Sequence, residues 1–143
     1  MYILDTCVFS DYQRNNDEIK AKIDEMDCRD IAITAISILE VIGGWHNAMH
    51  KAKLTSDEHE IFSKAFIDSI KLFNQFVMLP YTALAYERFE AMKKIKPAIN
   101  VRAPDLRIAS IAIEANATVI TYNARDYKRI PQVQYVEWKS PTN

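Results

Sequence analysis

The chain has 143 residues, 49% of them hydrophobic, and a formal net charge of -1. That length and composition suit one domain spanning 1–143 around one packed core, and exclude a disordered chain. The charge excludes a purely electrostatic nucleic-acid binder, the two cysteines (Cys7 and Cys28) are too few for a disulfide framework or zinc site, and no apolar run reaches transmembrane length.

In chain order, Met1 to Leu4 reads as a short buried strand. A helix is expected from about Cys7, capped by Asp5 or Thr6. Asp17 to Met26 reads as a second helix with Ile19, Ile23 and Met26 on one stripe. Ile31 to Thr34 is a strand, and Ala35 to His50 a helix. Ser56 to about Phe73 is a long helix capped by Thr55 or Ser56. Its apolar positions, from Ile61 and Phe62 to Ile70 and Phe73, are expected to face mainly the core, with part of the face as the alternative surface for a second copy or a partner protein. Phe76 to Leu79 is a third strand, and Thr82 caps a helix running to about Ile95. Lys96 to Ala103 is a loop, after which Pro104 opens a helix ending near Asn116. Thr118 to Tyr122 is the fourth strand, Asn123 to Pro131 a polar loop, and Val133 to Trp138 a fifth strand. Strands alternating with helices predict an α/β fold with a mostly parallel sheet.

Four acids sit where apolar runs end or break. Asp5 follows Tyr2-Ile3-Leu4, and Glu40 lies within Ile36 to Ile42. Asp105 precedes the helical stretch from Leu106 to Ala112, and Asp126 follows Thr118 to Tyr122. A carboxylate is costly beside buried apolar surface unless a cation pairs with it. If folding gathers these groups, hard oxygen ligands favour Mg²⁺, with Mn²⁺ an alternative. Open parallel sheets bind ligands beyond the carboxyl ends of their strands, where strand order reverses, and Asp5 and the 123–126 loop lie at such ends. Each acid also has an ordinary reading: Asp5 as a helix cap, Glu40 on a solvated helix face, Asp105 as a first-turn acid, Asp126 in a surface ion pair.

The pattern resembles PIN-domain ribonucleases, and most closely the VapC-type toxins of bacterial toxin–antitoxin pairs. Tyr2-Ile3-Leu4-Asp5-Thr6 is similar to the family's opening strand and first metal-binding aspartate. Ile38-Leu39-Glu40-Val41 followed by Gly43-Gly44 is similar to its glutamate-bearing helix. Pro104-Asp105-Leu106-Arg107-Ile108-Ala109 matches its Asp-x-x-Ile-Ala segment, and Thr121 to Tyr127 followed by Arg129-Ile130-Pro131 matches its last motif. The resemblance implies a three-layer α/β/α fold with about five strands. It also implies metal-dependent hydrolysis of RNA, a homodimer, and silencing by a cognate antitoxin protein.

On this reading Asp5 and Asp105 contact the metal directly or through water, Glu40 orients water or assists proton removal, and Asp126 completes the shell, with Asn123 as the alternative fourth group. Thr6, Asn123, Arg107 and Arg125 are the expected substrate-binding residues. Arg102, Lys128 and Arg129 extend a basic rim for RNA phosphates, or a solvated surface. Tyr122 and Tyr127 are read as bases' stacking partners or as packed edge residues. Cys7 reads as a small buried side chain, because no histidine nearby in sequence would activate its thiol.

Four other functions compete with this reading. A non-catalytic binding module keeps the fold without cleavage. A haloacid-dehalogenase-type phosphatase needs an aspartate where Cys7 stands, and a receiver domain needs one after the third strand, where the chain reads Leu79-Pro80-Tyr81. His46 and His50 have zinc-ligand spacing, but Asn47 stands where the zinc-protease motif needs glutamate. With no signal-peptide pattern, a cytoplasmic location without a membrane partner is expected.

Overall fold

The computed structural model describes residues 1–51 and 53–141. Five strands, β1 (Tyr2–Leu4), β2 (Ile31–Thr34), β3 (Val77–Leu79), β4 (Thr118–Thr121) and β5 (Gln134–Glu137), form one sheet in the order β3-β2-β1-β4-β5. Every pairing is parallel. Among the described residues the helices are α1 (Thr6–Gln13), α2 (Asp17–Asp24), α3 (Ala35–Met49), α4 (Ser56–Phe73), α5 (Ala83–Met92), α6 (Ala103–Glu114) and α7 (Ala124–Tyr127).

The three layers follow from strand alternation. Successive side chains on a strand point to opposite faces, and the central strands carry apolar residues on both. Ile3, Ala32 and Val119 face a core built with Ala85, Phe89, Leu106, Ile108 and Ala109, so α5 and α6 cover that side. Leu4, Ile31, Ile33 and Ile120 face the other core, with Val8, Phe9, Ile19, Ile23 and Phe73 from α1, α2 and α4. Phe9 and Phe73 stack there at 5.2 Å between ring centroids.

The chain runs outward from β1 through β2 to β3, then returns to place β4 on the other side of β1. The carboxyl ends of β1 and β4 are therefore the topological switch point. Helices start directly after β1 and β2 because a polar cap stands at the end of each strand. The Asp5 carboxylate accepts from Thr6 N, and the Thr34 hydroxyl accepts from Ser37 N.

Four expectations are corrected. The α4 face is split rather than wholly core: Phe73 is buried and Phe62, Ala65 and Phe66 are half-buried, whereas Ile61, Ile67 and Ile70 are exposed. The helix still forms there because Thr55 and Glu58 make a reciprocal capping box. The 123–131 loop contains the one-turn helix α7. The helix capped by Thr82 stops at Met92 rather than Ile95. Cys7 is exposed, because α1 buries Val8 and Phe9 and turns its preceding position outward.

Candidate active site

Asp5 sits one residue beyond β1 and is 5% exposed. Its carboxylate accepts from Thr6 N at 2.7 Å and from the Thr121 hydroxyl, at the end of β4, at 2.7 Å. Thr121 in turn accepts from Asn123 N at 3.0 Å. This relay ties the ends of the two strands flanking the switch point to one carboxylate. Glu40 projects from the second turn of α3 and accepts from the Thr6 hydroxyl at 2.6 Å, with Arg102 Nη2 3.4 Å from its other oxygen. Asp105 lies in the first turn of α6, two residues into a helix whose start carries Pro104 and no side-chain cap. The helix dipole favours its negative charge.

Asp5, Thr6, Cys7, Glu40, Arg102, Asp105 and Asn123 line one cavity of about 90 Å³. Folding therefore brings three of the four predicted acids together. Asp126 does not line it. Asp126 accepts instead from Asn123 Nδ2 at 2.7 Å, and its second oxygen lies 3.6 Å from Arg125 Nε and 3.8 Å from Arg129 Nη1.

Of the expected substrate-binding residues, Thr6 and Asn123 reach the cavity, and Arg107 and Arg125 do not line it. Arg107 packs over the Phe89 ring, 4.9 Å from its centroid, and Arg125 points into solvent beside Asp126. Tyr127 is fully buried, so it is a core residue and no platform for a base, and its hydroxyl finds no partner among the described residues. His46 and His50 stack on each other at 4.2 Å on an exposed face, with His50 Nδ1 2.8 Å from the His46 carbonyl.

Two roles were not read from the sequence. Thr121 orients Asp5, and Arg102, placed only on a basic rim, is the cation of the cavity itself. A hydroxyl residue closing an apolar strand was the available signal for Thr121. Nothing local marked Arg102, which meets Glu40 across 62 residues of sequence.

The electrostatics are those of an under-neutralised anionic cluster. Burial pushes the Asp5 carboxyl above its usual range, the Thr121 and Thr6 hydrogen bonds oppose this, and Glu40 adds to it. Burial, then the Asp5 carboxylate, push Asp105 from 3.8 up to about 6, against the pull of Arg102. No protein hydrogen bond is among the influences on Asp105. Desolvation and the neighbouring Asp5 also raise the Cys7 thiol, which makes it a poor nucleophile at neutral pH.

An all-oxygen set with excess negative charge fits a hard divalent cation in donor type and charge. Among the described residues no three His, Cys, Asp or Glu side chains make a ready coordinating group. Mg²⁺ suits such an open set, because it retains several waters and takes only one or two carboxylates directly.

A family profile described as PIN domain matches residues 2–133. No curated protein matches the chain. Among solved structures, VapBC2 from Rickettsia felis bound to a promoter DNA fragment aligns with a TM-score of 0.77 at 21% identity, covering 96% of this chain and 98% of that one. DNA-bound VapBC from Salmonella typhimurium aligns with a TM-score of 0.77 at 21% identity, covering 96% of this chain and 97% of that one. A toxin–antitoxin complex from Klebsiella pneumoniae aligns at 0.73 and 18% identity, covering 98% and 100%. At these identities the structures establish a shared fold, whereas the profile spans most of the sequence. With the strand order, the switch-point cavity and its carboxylates, it shows that the chain belongs to the PIN domain family.

Proposed function

We propose that this chain is a Mg²⁺- or Mn²⁺-dependent endoribonuclease, acting as the toxin of a toxin–antitoxin pair. The observation that carries the reading is the convergence of Asp5, Glu40 and Asp105 on one cavity at the switch point, with Asp105 raised to about 6 by burial and by its anionic neighbour. A bound divalent ion supplies a more acidic water and stabilises charge on the phosphodiester.

The chain's residues do the rest. Asp5, held by two donors, is a fixed anionic ligand, and Asp105 is its counterpart on α6. Asp126 acts from outside the cavity by fixing the Asn123 amide that lines it. Thr6 orients Glu40 through one oxygen, and the other, paired with Arg102 at 3.4 Å, takes a proton from the attacking water once Arg102 turns to the substrate. Arg102, 63% exposed and 3.4 Å from Glu40, is free to turn its charge to a substrate phosphate. Arg125 meets a more distant phosphate, and Arg107, seated on Phe89, supports that side of the strand.

The partner is a cognate antitoxin protein, and the assembly contains two copies of this chain. Complexes with such partners are what the similar structures contain. The expected place of action is the cytoplasm; among the described residues no helix is long and apolar enough to cross a membrane.

The deciding experiment is cleavage of a panel of transfer, ribosomal and messenger RNA with and without chelator. Cleavage is expected only with Mg²⁺ or Mn²⁺, and Asp5→Asn is expected to abolish it while keeping the melting transition. Undiminished cleavage by Asp5→Asn sinks the assignment.

A further inference from the structure

A second cavity, of about 280 Å³, opens between α1 and α3, beside the acidic one. Thr6 and Glu40 line both, so the 2.6 Å hydrogen bond between them is part of a shared wall. Beneath the second cavity lies the fully buried Ser69. Its hydroxyl accepts from Gln13 Nε2 at 2.5 Å and from Trp45 Nε1 at 2.8 Å, and donates to the Ala65 carbonyl at 2.8 Å.

That anchoring sets the chemistry of the lining. It turns the Gln13 amide nitrogen inward, and no group among the described residues donates to Gln13 Oε1 through the hydrogen bonds that anchor it. Gln13 therefore offers one carbonyl acceptor and one remaining N–H, the pair with which a carboxamide reads the edge of a base. Trp45 contributes an aromatic wall held in place by its own hydrogen bond. Arg14, also in the lining, is 76% exposed and paired with Asp11 at 3.2 Å, a solvent-facing pair weak enough for the guanidinium to exchange to a phosphate at the mouth. Gly44 keeps the space open: a Cβ there would meet nothing within 4 Å. Glycine weakens a helix interior relative to alanine, and no close approach within the chain requires it at this position.

We propose that this cavity takes the nucleobase flanking the scissile phosphate of single-stranded RNA, with Gln13 as the residue that selects it. The inference rests on the ribonuclease reading for its substrate and on the shared Thr6–Glu40 wall for its location. A base can enter only when unstacked, so single-stranded or looped RNA is the form recognised.

The test uses the full chain carrying Asp5→Asn, so that RNA survives, with fluorescent homopolymeric oligoribonucleotides of A, C, G and U read by anisotropy. Gly44→Leu fills the cavity from an open position and is expected to keep the melting temperature while weakening binding about tenfold, the scale of one lost stacked base. Gln13→Ala is expected to change which homopolymer binds tightest, and stands as the second arm if Gly44→Leu fails to fold. Unchanged affinity and unchanged ranking in the variants overturn the proposal, as does absence of RNA binding by the Asp5→Asn chain. Intact RNA binding by Gly44→Leu with loss of a protein partner also overturns it, assigning the cavity to that partner. Loss of binding in Gly44→Leu, alongside a wild type that cleaves nothing, removes the nuclease reading and leaves the base site standing.

Discussion

At the scale of single residues, Asp105 shows how tertiary burial turns an ordinary helix-start acid into a chemical group. Its folded value of about 6 lies above the ordinary 3.8, so between those values the native state holds more protons than the unfolded chain. Without metal, the contribution of Asp105 to stability is therefore most favourable below about pH 4, falls as pH rises through 6, and stays reduced above it. Asp105→Asn is expected to flatten that fall and to raise the melting temperature at neutral pH in chelator, measured by thermal denaturation across pH. Added Mn²⁺ should stabilise the wild type and leave Asp105→Asn nearly unmoved. Tyr127 makes the opposite case. Its ring is core and its hydroxyl is unpartnered, so Tyr127→Phe removes an unpaired polar atom. The change is expected to be neutral or stabilising by about 1 kcal/mol in denaturant titration. Thr121→Val deletes a buried donor to Asp5, and is expected to cost about 1–3 kcal/mol and move the cleavage pH profile to higher pH.

At the scale of elements, local signals and tertiary packing part company on α4. The Thr55–Glu58 box and the helical period both mark the helix, and both are local. Which way its apolar residues face is not local, and Ile61, Ile67 and Ile70 end in solvent while Phe73 reaches the core. Thr55→Ala is expected to cost about 1 kcal/mol of stability without changing RNA cleavage, read by urea unfolding beside an activity assay. Phe9→Ala, which removes a ring packed on Phe73 and Phe76, is expected to cost about 3–5 kcal/mol. The strands were legible because their apolar runs are bounded by polar caps: Ile31–Thr34 ends in its own helix cap, and Thr118–Thr121 ends in the hydroxyl that reaches Asp5. The turn of α7 was not, because four residues carry too little periodicity to separate a helix from a loop.

At the scale of the whole molecule, Ile61, Ile67 and Ile70 on α4 are exposed, as is Leu39 on α3, and the antitoxin proposed above is expected to cover the α4 side chains. Amide hydrogen exchange of the co-expressed complex against the free chain is expected to show protection on α4, and exchange unchanged there would place the partner elsewhere. The acids of this protein could be picked from sequence because each interrupts an apolar run, and that contrast is written in neighbouring residues. Caps, strand runs and the parallel α/β order were equally local and equally readable. The tertiary structure alone decided membership of the cavity: Asn123 inside and Asp126 behind it, Arg102 facing Glu40 while Arg107 turns to Phe89. Those outcomes depend on where a sheet crossover sets one helix start against another, and a side chain's direction relative to an element 62 residues away has no counterpart in local spacing.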